Sequence, residues 1–317
     1  MASERKKRFL PWLQRLLILG FLGYIGYLAA GQFQQLDWHQ VTVAVRTYGV
    51  QGIAVAAIIA LPGLAACACF DLIGRRLVGH HLSVPRTMLI SFTGYFFSLN
   101  LGALAGGLAF RYRLYSANGL KFGRISSIVG QTIVTNWLGY ILLAGAVLTF
   151  APPELPDGWG PGRVALIGIG VSCLATSAAY VLVCFIASGT EVKFSGLVLR
   201  LPPPRMVFVQ YALSLTSWGS ITALLVWLIP GDAGPMVVLP VLMISAIAGI
   251  WSHVPGGIGV IEVVFLRLLS DRVPDNELVA AVLVFRAVYY LVPFLLAIPG
   301  YLYLEKTRVA PPDDTAD

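Results

Sequence analysis

The chain has 317 residues, 57% of them hydrophobic and only 12% charged, with a formal net charge of +7. Soluble globular domains carry about 25% charged residues, so this composition excludes a soluble enzyme and identifies an all-α integral membrane protein. The basic residues flank apolar runs rather than forming a separate domain that could hold nucleic acid, so the charge reads as a topology signal.

Glu4-Arg5-Lys6-Lys7-Arg8 precedes the first apolar run, about Leu13 to Ala30, which reads as an uncleaved span because Leu28-Ala29-Ala30-Gly31 is a poor cleavage site. A second run covers about Val50 to Phe70. The third, about Thr87 to Phe110, has a polar, glycine-rich middle from Ser98 to Gly107. Further runs lie at about Ile125 to Phe150, Val164 to Ala187, Val207 to Ile229, Val237 to Leu269 and Val279 to Leu304. These lengths suit membrane-crossing helices, and none shows the strict alternation of a membrane strand. Residues 305–317 read as a disordered cytoplasmic tail.

The seventh run is cut by Ser252-His253-Val254-Pro255-Gly256-Gly257-Ile258-Gly259-Val260-Ile261-Glu262. In lipid, such a break frees backbone groups that nothing can satisfy, so it must face protein or a wet cavity. A helix restarting there directs bare N–H groups and a positive dipole end into that cavity, which suits an anionic group.

A shift of 154 residues aligns the two halves: Phe97-Ser98 meets Trp251-Ser252, Gly102 meets Gly256, and Arg113-Leu114 meets Arg267-Leu268. The matches are few, yet the interrupted run is third in each half, as in transporters built from repeats. If runs three and seven enter and leave by the same face, 17 of the 22 Lys and Arg fall on the cytoplasmic side. If all eight runs cross, two basic loops fall outside. The expectation is therefore a single membrane domain of six spanning helices and two re-entrant hairpins. Its inverted repeats cover 13–150 and 164–304, the hairpin tips meet near mid-membrane, and both termini are cytoplasmic.

Glu262, Arg267 and Arg286 are the ionisable residues deepest in apolar sequence, where a charge costs at least about 2.5 kcal/mol unless paired or hydrated. Glu262 and Arg286 either lock runs seven and eight together or serve a ligand, Arg286 holding a phosphate and Glu262 balancing it, binding a cationic head group or taking a proton. Arg111-Tyr112-Arg113-Leu114-Tyr115 follows the first break and reads as a cytoplasmic interface segment, with Arg111 and Arg113 suited to phosphate and Tyr115 to the head-group layer. Asn100 and His253 can hydrogen-bond unwound backbone or a ligand, and Gly102, Pro255, Gly256 and Gly257 shape the two breaks.

Gly256-Gly257-Ile258-Gly259 lacks the strand and later acid of a dinucleotide site, so no nucleotide cofactor is expected. Cys67, Cys69, Cys173 and Cys184 lie inside apolar runs without metal-ligand spacing and read as packing residues. A lipid enzyme would need clustered acids or a nucleophile with its base. Asp71 only borders run two, and His80-His81 stands on a basic loop with no acid nearby in sequence.

Three motifs resemble the transmembrane region of lysyl-phosphatidylglycerol synthases and related stand-alone bacterial inner-membrane proteins, and the likeness covers nearly the whole chain. They are Gly106-Gly107 through Arg111-Tyr112-Arg113-Leu114-Tyr115 to Gly119-Leu120, then Pro255 to Glu262, and Arg286-Ala287-Val288-Tyr289-Tyr290-Leu291-Val292-Pro293, which brings Tyr289 into the candidate site. The resemblance implies movement of an aminoacylated or other anionic glycerophospholipid across the bacterial inner membrane. No counterpart of the aminoacyl-transferase domain that such synthases carry is expected beyond the eighth run, and synthase activity is not expected either. A membrane phospholipid is the expected partner, with a separate lipid-synthesis enzyme as a further one. The alternatives are a non-transporting scaffold for a lipid or such an enzyme, and an intramembrane lipid-modifying enzyme with Glu262 as a lone base.

Overall fold

The computed structural model describes residues 38–102, 107–153, 162–194, 197–252 and 254–307. In chain order these form α1 (Trp38–Thr47), α2 (Gly49–Val78), α3 (Val84–Leu101), α4 (Ala109–Ser116), α5 (Phe122–Phe150), α6 (Arg163–Ile186), a β1–β2 hairpin (Glu191–Phe194, Leu197–Arg200) and α7 (Pro204–Leu228). After these come α8 (Pro235–Ser252), a tight turn at Pro255–Gly257, α9 (Val260–Leu269), α10 (Asp275–Arg286), a widened turn at Ala287–Leu291 and α11 (Val292–Lys306). The expected span at Leu13 to Ala30 lies outside the described residues.

Six helices among the described residues are long and apolar enough to cross a membrane: α2, α5, α6, α7, α8 and the rod Asp275–Lys306 formed by α10 and α11 together. The protein is thus an all-α membrane protein. One of the six, α8, is a hairpin arm, so this set is not the six crossings expected from the runs. The return arms α4 and α9 have only 8 and 10 residues, or about 12 and 15 Å of helix against a hydrocarbon core of about 30 Å. Neither can cross.

The rod shows where each hairpin opens. Arg86, at the start of α3, donates to the Leu304 carbonyl at 3.3 Å and to Thr307 at 3.1 Å. Arg113, near the end of α4, pairs with Glu305. Both ends of the first hairpin therefore lie beside the C-terminal end of the rod. At the other end of the rod, Asn276 and Glu277 share a cavity with Trp227 and Leu228 of α7. The second hairpin leaves α7 and rejoins the rod through short turns there, so it opens at the opposite face. The tips meet midway along the rod: a Cβ on Gly256 would lie 3.9 Å from the Asn100 carbonyl oxygen, and Asn100 Nδ2 donates to the carbonyl of Tyr290, in the middle of the rod, at 3.3 Å.

The rod widens where a proline requires it. Pro293 cannot donate to the Tyr289 carbonyl one turn earlier and its ring crowds that position; the wide turn Ala287–Leu291 absorbs the conflict. The larger apolar core gathers Phe265, Leu269, Leu278, Val282 and Phe285 against α7 and α8. A second joins Ile90, Ile128 and Leu304 around Tyr115. Small residues set the helix spacing, since a Cβ on Gly74 would come within 2.6 Å of the Ile128 backbone.

Three features depart from the sequence expectation. Helix α1 and the β1–β2 hairpin occupy stretches read as plain connections. The last helix runs on through Glu305 and Lys306, residues read as tail, because Glu305 is held by Arg113 and by the Tyr301 hydroxyl. Residues 308–317 lie outside the described set.

Candidate functional site

The second hairpin tip is built by glycine. Gly256, Gly257 and Gly259 have φ of +66°, +59° and +82°, values that side-chain-bearing residues rarely adopt. The chain can therefore turn within a few residues and aim the Gly256 and Gly257 carbonyls at Arg286. Arg286 donates to them at 2.7 and 2.6 Å, and to both carboxylate oxygens of Glu262, at 3.0 Å in the longer bond. Glu262, three residues past the Gly259 cap, also accepts the Gly259 N–H at 2.9 Å. The ring of Tyr290 stacks against the guanidinium at 5.5 Å.

The pair is largely buried, with side chains 4% and 14% exposed for Glu262 and Arg286. Around it the tips present apolar surface: Leu101 is 44% exposed, Trp251 74% and Ile258 67%. A charged centre beside an exposed apolar flank can receive a molecule that is polar at one end and apolar along its length. Among the described residues no cluster of three potential metal-binding side chains occurs.

The expected capture of an anion by bare helix ends takes another form. Gly102, one of the residues read as shaping the breaks, ends α3, its N–H donating to the Ser98 carbonyl at 3.0 Å, so it marks a helix C-terminus and offers no positive dipole end. The N-terminus of α9 already holds the carboxylate of its own Glu262. Asn100 ties the first tip to the rod, donating to the Tyr290 carbonyl and, within its own helix, to the Phe96 carbonyl at 2.8 Å. Pro255 starts the tight turn and is exposed, while His253 lies outside the described residues.

Arg111 and Tyr115 lie inside the helix packing and not at the interface expected of them. Neither faces a head-group layer: Arg111 is 4% exposed and Tyr115 fully buried. Both point at Asp71 of α2. Its Oδ2 accepts from Arg111 Nε at 3.2 Å and from the Tyr115 hydroxyl at 2.8 Å, and its Oδ1 accepts from Thr132 at 2.6 Å. Arg111 also donates to the Ser91 carbonyl at 3.2 Å. Gly94 opens the path, since a Cβ there would come within 2.6 Å of the Arg111 side chain. Arg113 is exposed and paired with Glu305, whereas Tyr289 is buried and contacts the Cys67 thiol.

Asp71 is the functional candidate that the sequence reading passed over. A signal was present, for it is the only acid between residues 38 and 153, a stretch holding eight arginines and lysines. His80 lies close enough to feel it and packs against Tyr115 with ring centroids 5.9 Å apart. Burial, then Arg75 and His81, press the His80 imidazole down to about 4, and its Nδ1 accepts the Leu82 N–H. The folded state thus holds His80 neutral while the unfolded chain protonates it near 6.5. The unfolded state binds more protons between these values, so the contribution is complete above about pH 6.5 and is lost as pH falls towards 4. The melting temperature of the wild type should drop more steeply from pH 7.5 to 5 than that of His80→Gln.

The family described as the lysylphosphatidylglycerol synthase TM region matches residues 12–297. The inner membrane protein YbhN of Escherichia coli K12 is 36% identical over 301 residues, 94% of this chain and 92% of that protein. A Synechocystis protein, slr0712, is 27% identical over 71% of this chain and 70% of its own length. A phosphatidylglycerol lysyltransferase of Staphylococcus haemolyticus is 39% identical over 62 residues, 19% of this chain and 7% of that protein. With the match spanning both hairpins and most of the rod, the chain belongs to the family of the lysylphosphatidylglycerol synthase TM region.

Proposed function

We propose that the protein moves a phospholipid between the leaflets of a bacterial inner membrane, the head group passing between the hairpin tips while the acyl chains stay in lipid. The observation carrying this reading is the meeting of two oppositely opening hairpins at a buried Glu262–Arg286 pair, flanked by the apolar surface of Leu101, Trp251 and Ile258. Opposed hairpins with broken tips suit alternating access, and the repeated order of elements suits two inverted halves rocking about the tips. Arg286 is the group to meet a lipid phosphate, because its planar fork can exchange Glu262 for phosphate oxygens. Glu262, released, can balance charge or take a proton. The names of the relatives suggest the inner membrane and an anionic glycerophospholipid such as phosphatidylglycerol.

A second reading, a scaffold that binds a lipid or a lipid-synthesis enzyme without moving anything, draws on the fact that Arg286 already bonds to both Glu262 and the tip carbonyls. Glu262→Gln separates the two. It keeps volume and one acceptor but removes the charge that must trade places with phosphate. A carrier should stay folded and slow at least tenfold in leaflet exchange. A folded variant exchanging lipid at the wild-type rate removes Glu262 from the pathway, and a variant that cannot fold favours the lock.

A further inference from the structure

A cavity of about 600 Å³ opens where α7 ends and α10 begins, at the face opposite the rod's C-terminal end and away from the hairpin tips. Its size lies in the range of about 300–1,000 Å³ that accepts small organic ligands. The walls bring Tyr48 and Trp227, ring centroids 6.3 Å apart and inclined by 41°, together with Glu277, Asn276, Thr47 and His39. Both rings are positioned by the fold. The Tyr48 hydroxyl donates to the Leu228 carbonyl, and the Trp227 ring lies over Gly52, where a Cβ would approach it to 3.3 Å.

Glu277 is half-buried, and no cation pairs with it among the described residues. It reaches the same space as the rings: Tyr48, which precedes the α2 span, has its phenol pushed up to about 12 by burial first and the Glu277 carboxylate second. An acid in the first turn of α10 also suits the helix dipole. Asp275 already supplies that charge, and the dipole gives no reason for two aromatic rings beside the second acid.

We infer that this cavity binds a compact organic ammonium group, with Glu277 as its counter-charge and the faces of Tyr48 and Trp227 as its walls. Aromatic faces carry the negative end of a quadrupole and attract cations. The carboxylate repels an anion from the same space. The ammonium can belong to a free amine or to an amine-bearing lipid head group; the chemistry at the cavity is the same. The inference does not rest on lipid translocation, because its test is binding.

Isothermal titration calorimetry of the full chain in detergent, with choline and ethanolamine as probes, provides that test. Saturable binding is expected, weakened roughly tenfold in Glu277→Gln and in Trp227→Leu, and much less in Trp227→Phe, which keeps an aromatic face. Repeating the choline titration in phosphatidylglycerol nanodiscs, with and without phosphatidylethanolamine, assigns the source. Competition by phosphatidylethanolamine identifies a lipid amine, and undiminished choline binding identifies a free one. The inference is overturned if the folded wild type binds neither probe, or if Glu277→Gln, folded by size exclusion and melting temperature, binds both as tightly as the wild type. Lipid exchange has no part in either outcome.

Discussion

Asp71→Ala is expected to yield little or no folded protein. The Asp71 carboxylate is fully buried and accepts hydrogen bonds from Arg111, Tyr115 and Thr132. Removing it strands the Arg111 charge, at about 3–5 kcal/mol for a broken buried pair. Two hydroxyls lose their acceptor as well, each at about 1–3 kcal/mol if it stays unsatisfied. Even the lower figures approach the whole stability of a typical domain, about 5–15 kcal/mol. The double variant Asp71→Ala, Arg111→Leu removes both charges and should recover part of the loss. Yield of monodisperse protein and melting temperature in detergent check both; a well-folded single variant would mean that the pair does not hold α4 to α2.

The second large effect is at Arg286. Arg286→Ala leaves Glu262 buried without its cation and deprives the Gly256 and Gly257 carbonyls of their donor. A loss of about 3–5 kcal/mol is expected. The charge-swapped double variant, Glu262→Arg with Arg286→Glu, tells an isolated ion pair from a built tip. An isolated pair tolerates reversal. Here a carboxylate at 286 would face two carbonyl oxygens, and an arginine at 262 would face the Gly259 N–H, so the swap should rescue nothing. Limited proteolysis around residues 252–259, together with the melting temperature, reports the outcome.

These two centres show what sequence can and cannot reveal. The crossing helices were legible because about 20 apolar residues in a row have one stable form in lipid. The breaks were legible because proline and clustered glycine cannot continue a helix there. Glu262 and Arg286 were legible as partners because a charge deep in apolar sequence needs one. The direction of Arg111 was not. Its charge and its tyrosine neighbours read equally as an interface anchor, and its partner lies 40 residues upstream across a helix packing. Whether Gly102 ends one helix or starts the next depended on backbone geometry, since glycine serves both. The β1–β2 hairpin is too short for alternation to stand out.

The measurement that bears most directly on the proposed function is the movement of labelled phospholipids between leaflets of liposomes containing the purified wild-type protein. Anionic, zwitterionic and cationic head groups should be compared against protein-free liposomes. Protein-dependent, head-group-selective exchange is expected, fastest for an anionic glycerophospholipid. Exchange no faster than in protein-free liposomes, with the protein folded and inserted, would contradict the proposed function.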